Sequence, residues 1–102
     1  MKVKVTRSTG NVFSDVGFPP EEAENLKIRA DLLIDLQEAL SKRRLKQSEA
    51  ARVLGVTQPR VSDLMRGRID LFSIDTMVNM LSRLGIKVKV TVKVSRRRAK
   101  VA

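Results

Sequence analysis

Ala51, Gly55, Val61 and Leu64 constrain this chain more than any other feature of it. Two helices that cross steeply over a tight turn need a small side chain where their backbones approach, and Ala51 supplies it. Four residues later the turn needs a positive φ, which glycine adopts without steric cost, and Gly55 stands there. Val56, Val61 and Leu64 then fill the wedge between the helices. A plain helical hairpin needs none of these residue types at these offsets. The spacing predicts one helix over 47–54, stopped by Gly55 in the left-handed conformation. It predicts a second over 58–66, with Thr57 as N-cap, Pro59 in the first turn and Gly67 as terminator.

The flanking segments supply the rest of a small core. Asn11 is placed to cap a brief turn over 12–16 that Gly17 closes. Pro19 and Pro20, followed by Glu21 and Glu22, mark a helix start, with acids at the positive end of the dipole. From there Leu26, Ala30, Leu33, Leu36 and Leu40 form one apolar stripe of a helix reaching residue 43 or 44. Ser73 caps a further helix over 74–84, whose apolar face is Met77, Met80, Leu81 and Leu84, with Gly85 just past its end. After Gly85 the period changes from 3.6 to 2. Val88, Val90, Val92 and Val94 alternate with Lys87, Lys89, Thr91 and Lys93, the pattern of a strand with one apolar and one basic face. A short N-terminal strand over 2–6 shows the same alternation.

The expected fold is therefore mainly α: a four- to five-helix bundle with a C-terminal β-strand and a short N-terminal one. The expected organisation is an N-terminal arm over 1–20 and a helical domain carrying the motif over 21–85. A strand over 86–94 and a basic, disordered tail over 95–102 follow. A lone strand is not stable, so the valines of 88–94 must pair with Val3 and Val5 of the same chain or with a second copy. The second arrangement makes 86–94 a dimerisation element.

At 102 residues one domain is the natural count. With 21 Lys or Arg against 11 Asp or Glu the net charge is +10, and there is no Cys and no His. Disulfides, thiolate chemistry, the usual zinc sites and His-based nucleophiles are thereby excluded. No carboxylate, Ser or Lys pair has a spacing that singles it out as catalytic, so the expectation is a protein that is no enzyme and holds no metal or cofactor. The N-terminus lacks the apolar stretch of a signal peptide. No uncharged run exceeds seven residues, against about 20 for a bilayer span, so no membrane partner is expected. The basic excess points to a polyanion, nucleic acid before membrane. It is blocky: residues 21–40 carry −4, 41–60 carry +5 and 87–102 carry +7.

The 47–66 segment is the helix-turn-helix arrangement, whose second helix enters the major groove of double-stranded DNA N-terminus first. Gln58, Arg60, Ser62 and Asp63 are its expected exposed leading residues, beside Pro59, with Arg66 at its far end. Arg60 suits guanine O6 and N7, Gln58 suits adenine N6 and N7, and Asp63 either accepts from cytosine N4 or balances Arg60 or Arg66. Lys46, Gln47, Thr57 and the amides of the two helix N-termini are placed for phosphate oxygens. With three aromatics in all, Phe13, Phe18 and Phe72, the chain offers no base-stacking platform of the kind RNA-binding modules use.

The 47–67 segment resembles XRE-type (Cro-like) helix-turn-helix regulators, which share Gln…Ala…Leu-Gly-Val-x-Gln-x-x-Val-Ser and the lambda-repressor-like bundle. Lys46 stands where that family usually carries a capping Thr or Asn. Further stretches, Asn11-Val-Phe-Ser-Asp-Val-Gly-Phe, Leu45-Lys-Gln-Ser-Glu-Ala-Ala and Asp70-Leu-Phe-Ser-Ile-Asp, are similar to the HigA-like antitoxins within it. That resemblance implies a cytoplasmic, nucleoid-associated bacterial repressor. It implies a homodimer on a palindromic operator, which also neutralises a RelE-like toxin. A stand-alone or phage-derived regulator without a toxin is the alternative. The acidic helix from Glu21 to Glu38 is the surface expected to meet a basic protein partner.

Overall fold

The computed structural model describes residues 2–4 and 11–94. The chain runs β1 (Lys2–Lys4), α1 (Val12–Asp15), α2 (Pro20–Arg43), α3 (Gln47–Leu54), α4 (Gln58–Met65), a 3-10 turn (Ile69–Leu71), α5 (Ile74–Arg83) and β2 (Lys87–Lys89). The mainly helical bundle with its C-terminal strand is the expected architecture. The 24-residue α2 is its spine, and α1, α4, the 3-10 turn and α5 all pack on it.

Local chemistry sets each boundary. The Asn11 side chain accepts from the Phe13 and Ser14 amides, and its Nδ2 donates to the Ala23 carbonyl at 3.0 Å, so one residue caps α1 and ties it to α2. Residues 11–18, expected in the arm, are thus packed on the bundle, with Phe13 and Phe18 edge to face at 6.1 Å. Helix α2 begins on Pro20 with Glu21 and Glu22 in its first turn and ends with Arg44 left-handed at φ 53°. The Ser73 hydroxyl accepts from the Thr76 amide at 3.1 Å and starts α5. At the end of α3, Val56 N–H reaches the Ala51 carbonyl at 2.9 Å and Gly55 N–H the Arg52 carbonyl at 3.3 Å. That bond pair closes a helix through a left-handed residue, and Gly55 sits at φ 71°.

The core is built from Leu32, Leu36, Leu64, Phe72, Met77 and Leu81, all fully buried, with Val61 beside them. All four apolar residues expected of α5 are in it. The buried face of α2 differs from the expected stripe: Leu33, Leu36 and Leu40 belong to it, but Leu26 and Ala30 are only half-buried. Ala23, Leu32 and Ala39 complete it instead, because α5 and α1 cover a wider arc of α2 than one neighbour does.

The two strands meet. Strand β1 pairs with β2 in parallel, Lys2 with Lys87, Val3 with Val88 and Lys4 with Lys89. Pairing within the chain is therefore realised over 87–89. The ladder is shorter than the expected strand over 86–94, and residues 90–94 form no regular element. The expected disordered tail over 95–102 lies outside the described residues.

Candidate nucleic-acid interface

Helices α3 and α4 and the turn between them place the sequence-derived residues. Ala50, Ala51 and Leu54 of α3 and Val61 and Leu64 of α4 are buried at the crossing, as the spacing requires. A side chain of α2 holds the far end of α4: Gln37 Nε2 donates to the Leu64 carbonyl at 2.9 Å. The Leu64 carbonyl also accepts from Gly67 N–H at 3.1 Å, so the Gln37 bond adds a tie from the end of α4 to α2 and fixes where α4 points. Gln37 carries no motif signal, since a Gln on a helix surface is common, and sequence reasoning missed it.

The two helix starts are open. Lys46 occupies the N-cap position of α3, where its ammonium cannot accept a bond from the orphan amides. Half a capping box remains, with Lys46 N–H donating to Glu49 Oε1 at 2.9 Å. Thr57 occupies the N-cap position of α4 in extended backbone, but its hydroxyl makes no capping bond. The expected side-chain cap is therefore absent. Pro59 has no amide to satisfy, and the Arg60 amide instead takes the Thr57 carbonyl at 3.1 Å. Lys46, Gln47, Thr57, Gln58 and Pro59 are all exposed. Two helix N-termini, a lysine and an uncommitted hydroxyl thus face solvent, a donor set suited to phosphate oxygens.

Arg60 departs from expectation. It is half-buried, its Nη1 donates to the Leu71 carbonyl at 3.0 Å, and its guanidinium carbon lies 4.2 Å from the centroid of the Phe72 ring. Helical geometry explains this. With about 100° per residue, Arg60 lies only about 70° from the middle of the face that Val61 and Leu64 bury. Pro59 and Arg66 point almost directly away from the core, with Ser62 and Asp63 about 130° to either side. The outward row is therefore Gln58, Pro59, Ser62, Asp63 and Arg66, of which Ser62 and Asp63 are half-buried and the others exposed. Asp63 forms no ion pair with Arg60 or Arg66.

Arg83 of α5 also borders the turn, its guanidinium packed over the Cα of Gly55. The loop after α4 brings Arg68 and Asp70 together at 3.5 Å. Among the described residues no group of three or more His, Cys, Asp or Glu could hold a metal ion, and no helix is long and apolar enough to cross a membrane.

A family model described as a helix-turn-helix domain matches residues 12–93. Among solved structures, one described as an XRE-family transcriptional regulator superposes with a TM-score of 0.68 at 29% identity, covering 74% of this chain and 85% of that one. No curated protein matches the chain.

Proposed function

The chain belongs to the helix-turn-helix domain family, and on that premise we propose that it is a sequence-specific, DNA-binding transcriptional repressor, a homodimer on a palindromic operator. Proteins of this kind bind DNA and regulate transcription rather than catalyse reactions, and the solved relative is described as such a regulator. One observation carries the reading. The outward row of α4 lies next to the open N-termini of α3 and α4, while the opposite side of both helices is locked into the core. A helix so presented fits the major groove, with Gln58 reading adenine and Asp63 cytosine, while Lys46, Gln47 and Thr57 hold phosphates.

Arg60 takes a different part in this reading. Held on Phe72 and Leu71, it joins the start of the reading helix to the 3-10 turn and sets the angle of approach.

The test is quantitative binding to the protein's own promoter, located by footprinting. Gln58→Ala is expected to cost about 1–3 kcal/mol at one operator position and to relax specificity there. Lys46→Ala is expected to weaken all sequences alike and flatten the salt dependence. Arg60→Ala is expected to lower operator affinity and folding stability together, leaving base preferences unchanged. If Gln58→Ala and Lys46→Ala lower binding by the same factor on every sequence, α4 is not the reading helix.

The antitoxin role rests on the HigA-like resemblance and on one surface. Between residues 8 and 26 the chain has no Lys or Arg but carries Asp15, Glu21, Glu22 and Glu24, an acidic end on a protein of charge +10. That end suits a basic protein such as a RelE-like ribonuclease. Co-expression with the product of the adjacent reading frame is expected to restore growth that the product alone arrests. Charge reversal at Glu21, Glu22 and Glu24 is expected to abolish the rescue. Unchanged growth with or without this chain leaves the alternative, a stand-alone regulator.

A further inference from the structure

Arg83 is exposed and closes α5, and its guanidinium lies on the turn between α3 and α4. A Cβ on Gly55 would stand 2.9 Å from its Cζ and 3.1 Å from each Nη, so the flat face meets the glycine and the N–H edges stay clear of it. Charge brings it there. Helix α3 ends at Leu54 and α5 at Arg83, so both direct their negative ends to this place.

A basic side chain at a helix C-terminus commonly donates to the last carbonyls. Here they hold other donors. The Ala51 carbonyl takes Val56 N–H and the Arg52 carbonyl takes Gly55 N–H, while Leu81 takes Ile86 N–H, Ser82 takes Gly85 N–H and Leu84 takes Arg43 Nη2. Among the described residues Arg83 makes no hydrogen bond and no ion pair. The acids of the two helices, Glu49 and Asp75, stand in their first turns, away from this end. The N–H donors of the guanidinium are thus held beside the reading head without an acceptor among the described residues. A guanidinium with its fork free suits a phosphate, which accepts two parallel bonds from it.

Distance tells which phosphate. Helix α3 has eight residues, a length of about 12 Å, and the major groove is also about 12 Å wide. Lys46 stands at its start and Arg83 over its end. We propose that α3 bridges the groove with a cation on each wall, Lys46 at a phosphate of one strand and Arg83 clamping a phosphate of the other. The inference rests on the reading of α4 as the helix that enters the groove, and it adds a DNA contact made from α5, outside the motif.

The test replaces single phosphates of the promoter duplex by uncharged methylphosphonates and measures binding of the full chain. Arg83→Ala is expected to weaken operator and unrelated duplex alike, about fivefold at physiological salt, and to flatten the salt slope by about 0.9 per bound copy. Its thermal unfolding midpoint is expected to stay unchanged, and Arg83→Lys is expected to restore the slope. Neutralising one phosphate per bound copy should weaken the unmodified chain about fivefold but leave Arg83→Ala unaffected. Lys46→Ala should lose its sensitivity at a phosphate of the other strand. The inference fails if Arg83→Ala responds to every neutralised phosphate as the unmodified chain does, or if its phosphate lies on the strand that Lys46 holds. It fails too if affinity falls only together with folding stability, since Arg83 is then a packing residue of the turn. The reading of α4 stands or falls separately, on whether Gln58→Ala relaxes specificity at one operator position.

Discussion

Phe72→Ala is expected to bring the protein close to global unfolding. Phe72 is fully buried between the 3-10 turn and α5, and replacing a buried Phe by Ala removes its transfer free energy and leaves a cavity, about 3–5 kcal/mol together. A domain of this size has about 5–15 kcal/mol in total, so the loss takes a large fraction of it. The midpoint of thermal unfolding should fall by at least about 12 °C. A second loss follows from Arg60, whose guanidinium lies over this ring. Phe72→Leu separates the two, because it keeps most of the apolar burial but removes the aromatic face, and the cation–π part is about 0.5–2 kcal/mol. Urea unfolding followed by circular dichroism measures both variants. A loss below about 1 kcal/mol in Phe72→Ala would show that the site collapses around the smaller residue and that the ring is not central.

The second large effect lies in the turn of the motif. Gly55 has φ 71°, a conformation that costs an ordinary residue about 1–2 kcal/mol. A Cβ there would also stand 2.9 Å from Cζ of Arg83. That contact is relieved cheaply, since the guanidinium ends a flexible side chain and can swing into solvent. The backbone term therefore dominates, and it orders the variants. Gly55→Asn, tolerant of the left-handed region, should cost least, Gly55→Ala about 1–2 kcal/mol, and Gly55→Val more because branching at Cβ makes that region a true outlier. Stability and operator affinity should fall in the same order, since the turn sets the angle between α3 and α4. A neutral Gly55→Ala would mean that the turn relaxes to another geometry without loss, against the steric reading of the motif.

The parts of this fold that sequence reasoning reached are those with local causes. Helix α3 begins and ends as expected because Gly55 fixes its stop, and the start of α5 follows from the Ser73 hydroxyl. The buried face of α2 was not legible in the same way. Ile28, Leu32, Leu33, Ile34 and Leu36 allow more than one stripe, and only packing against α1 and α5 leaves Leu32 buried and Ile34 exposed. Phe72 follows a 3-10 turn of three residues, too short to show a period, so nothing local marked it as the centre of the core. Arg60 was misplaced for a related reason. Its residue type suits guanine, but its orientation depends on which face of α4 is buried and on an aromatic ring twelve residues away. The strand is shorter than the alternation suggests because alternation reports what a segment can pair with, and residues 90–94 have the pattern without a strand partner among the described residues.

The acidic end also bears on how the molecule meets DNA in time. Glu21 and Glu22 open α2, whereas Gln37, which holds the end of α4, lies about 25 Å further along the same axis. That separation exceeds the screening length of about 8 Å at physiological salt, so the acids do not weaken phosphate contacts made beside α4. They act on the approach instead. A duplex arriving at the start of α2 meets like charge and is turned away, while one arriving beside Lys46 is drawn in. Helix α2 carries Glu21 and Glu22 in its first turn and Lys42 and Arg43 in its last, so its two ends differ in charge. If α4 reads DNA as proposed, encounters are expected to be sorted by orientation, and the advantage should shrink as salt is raised.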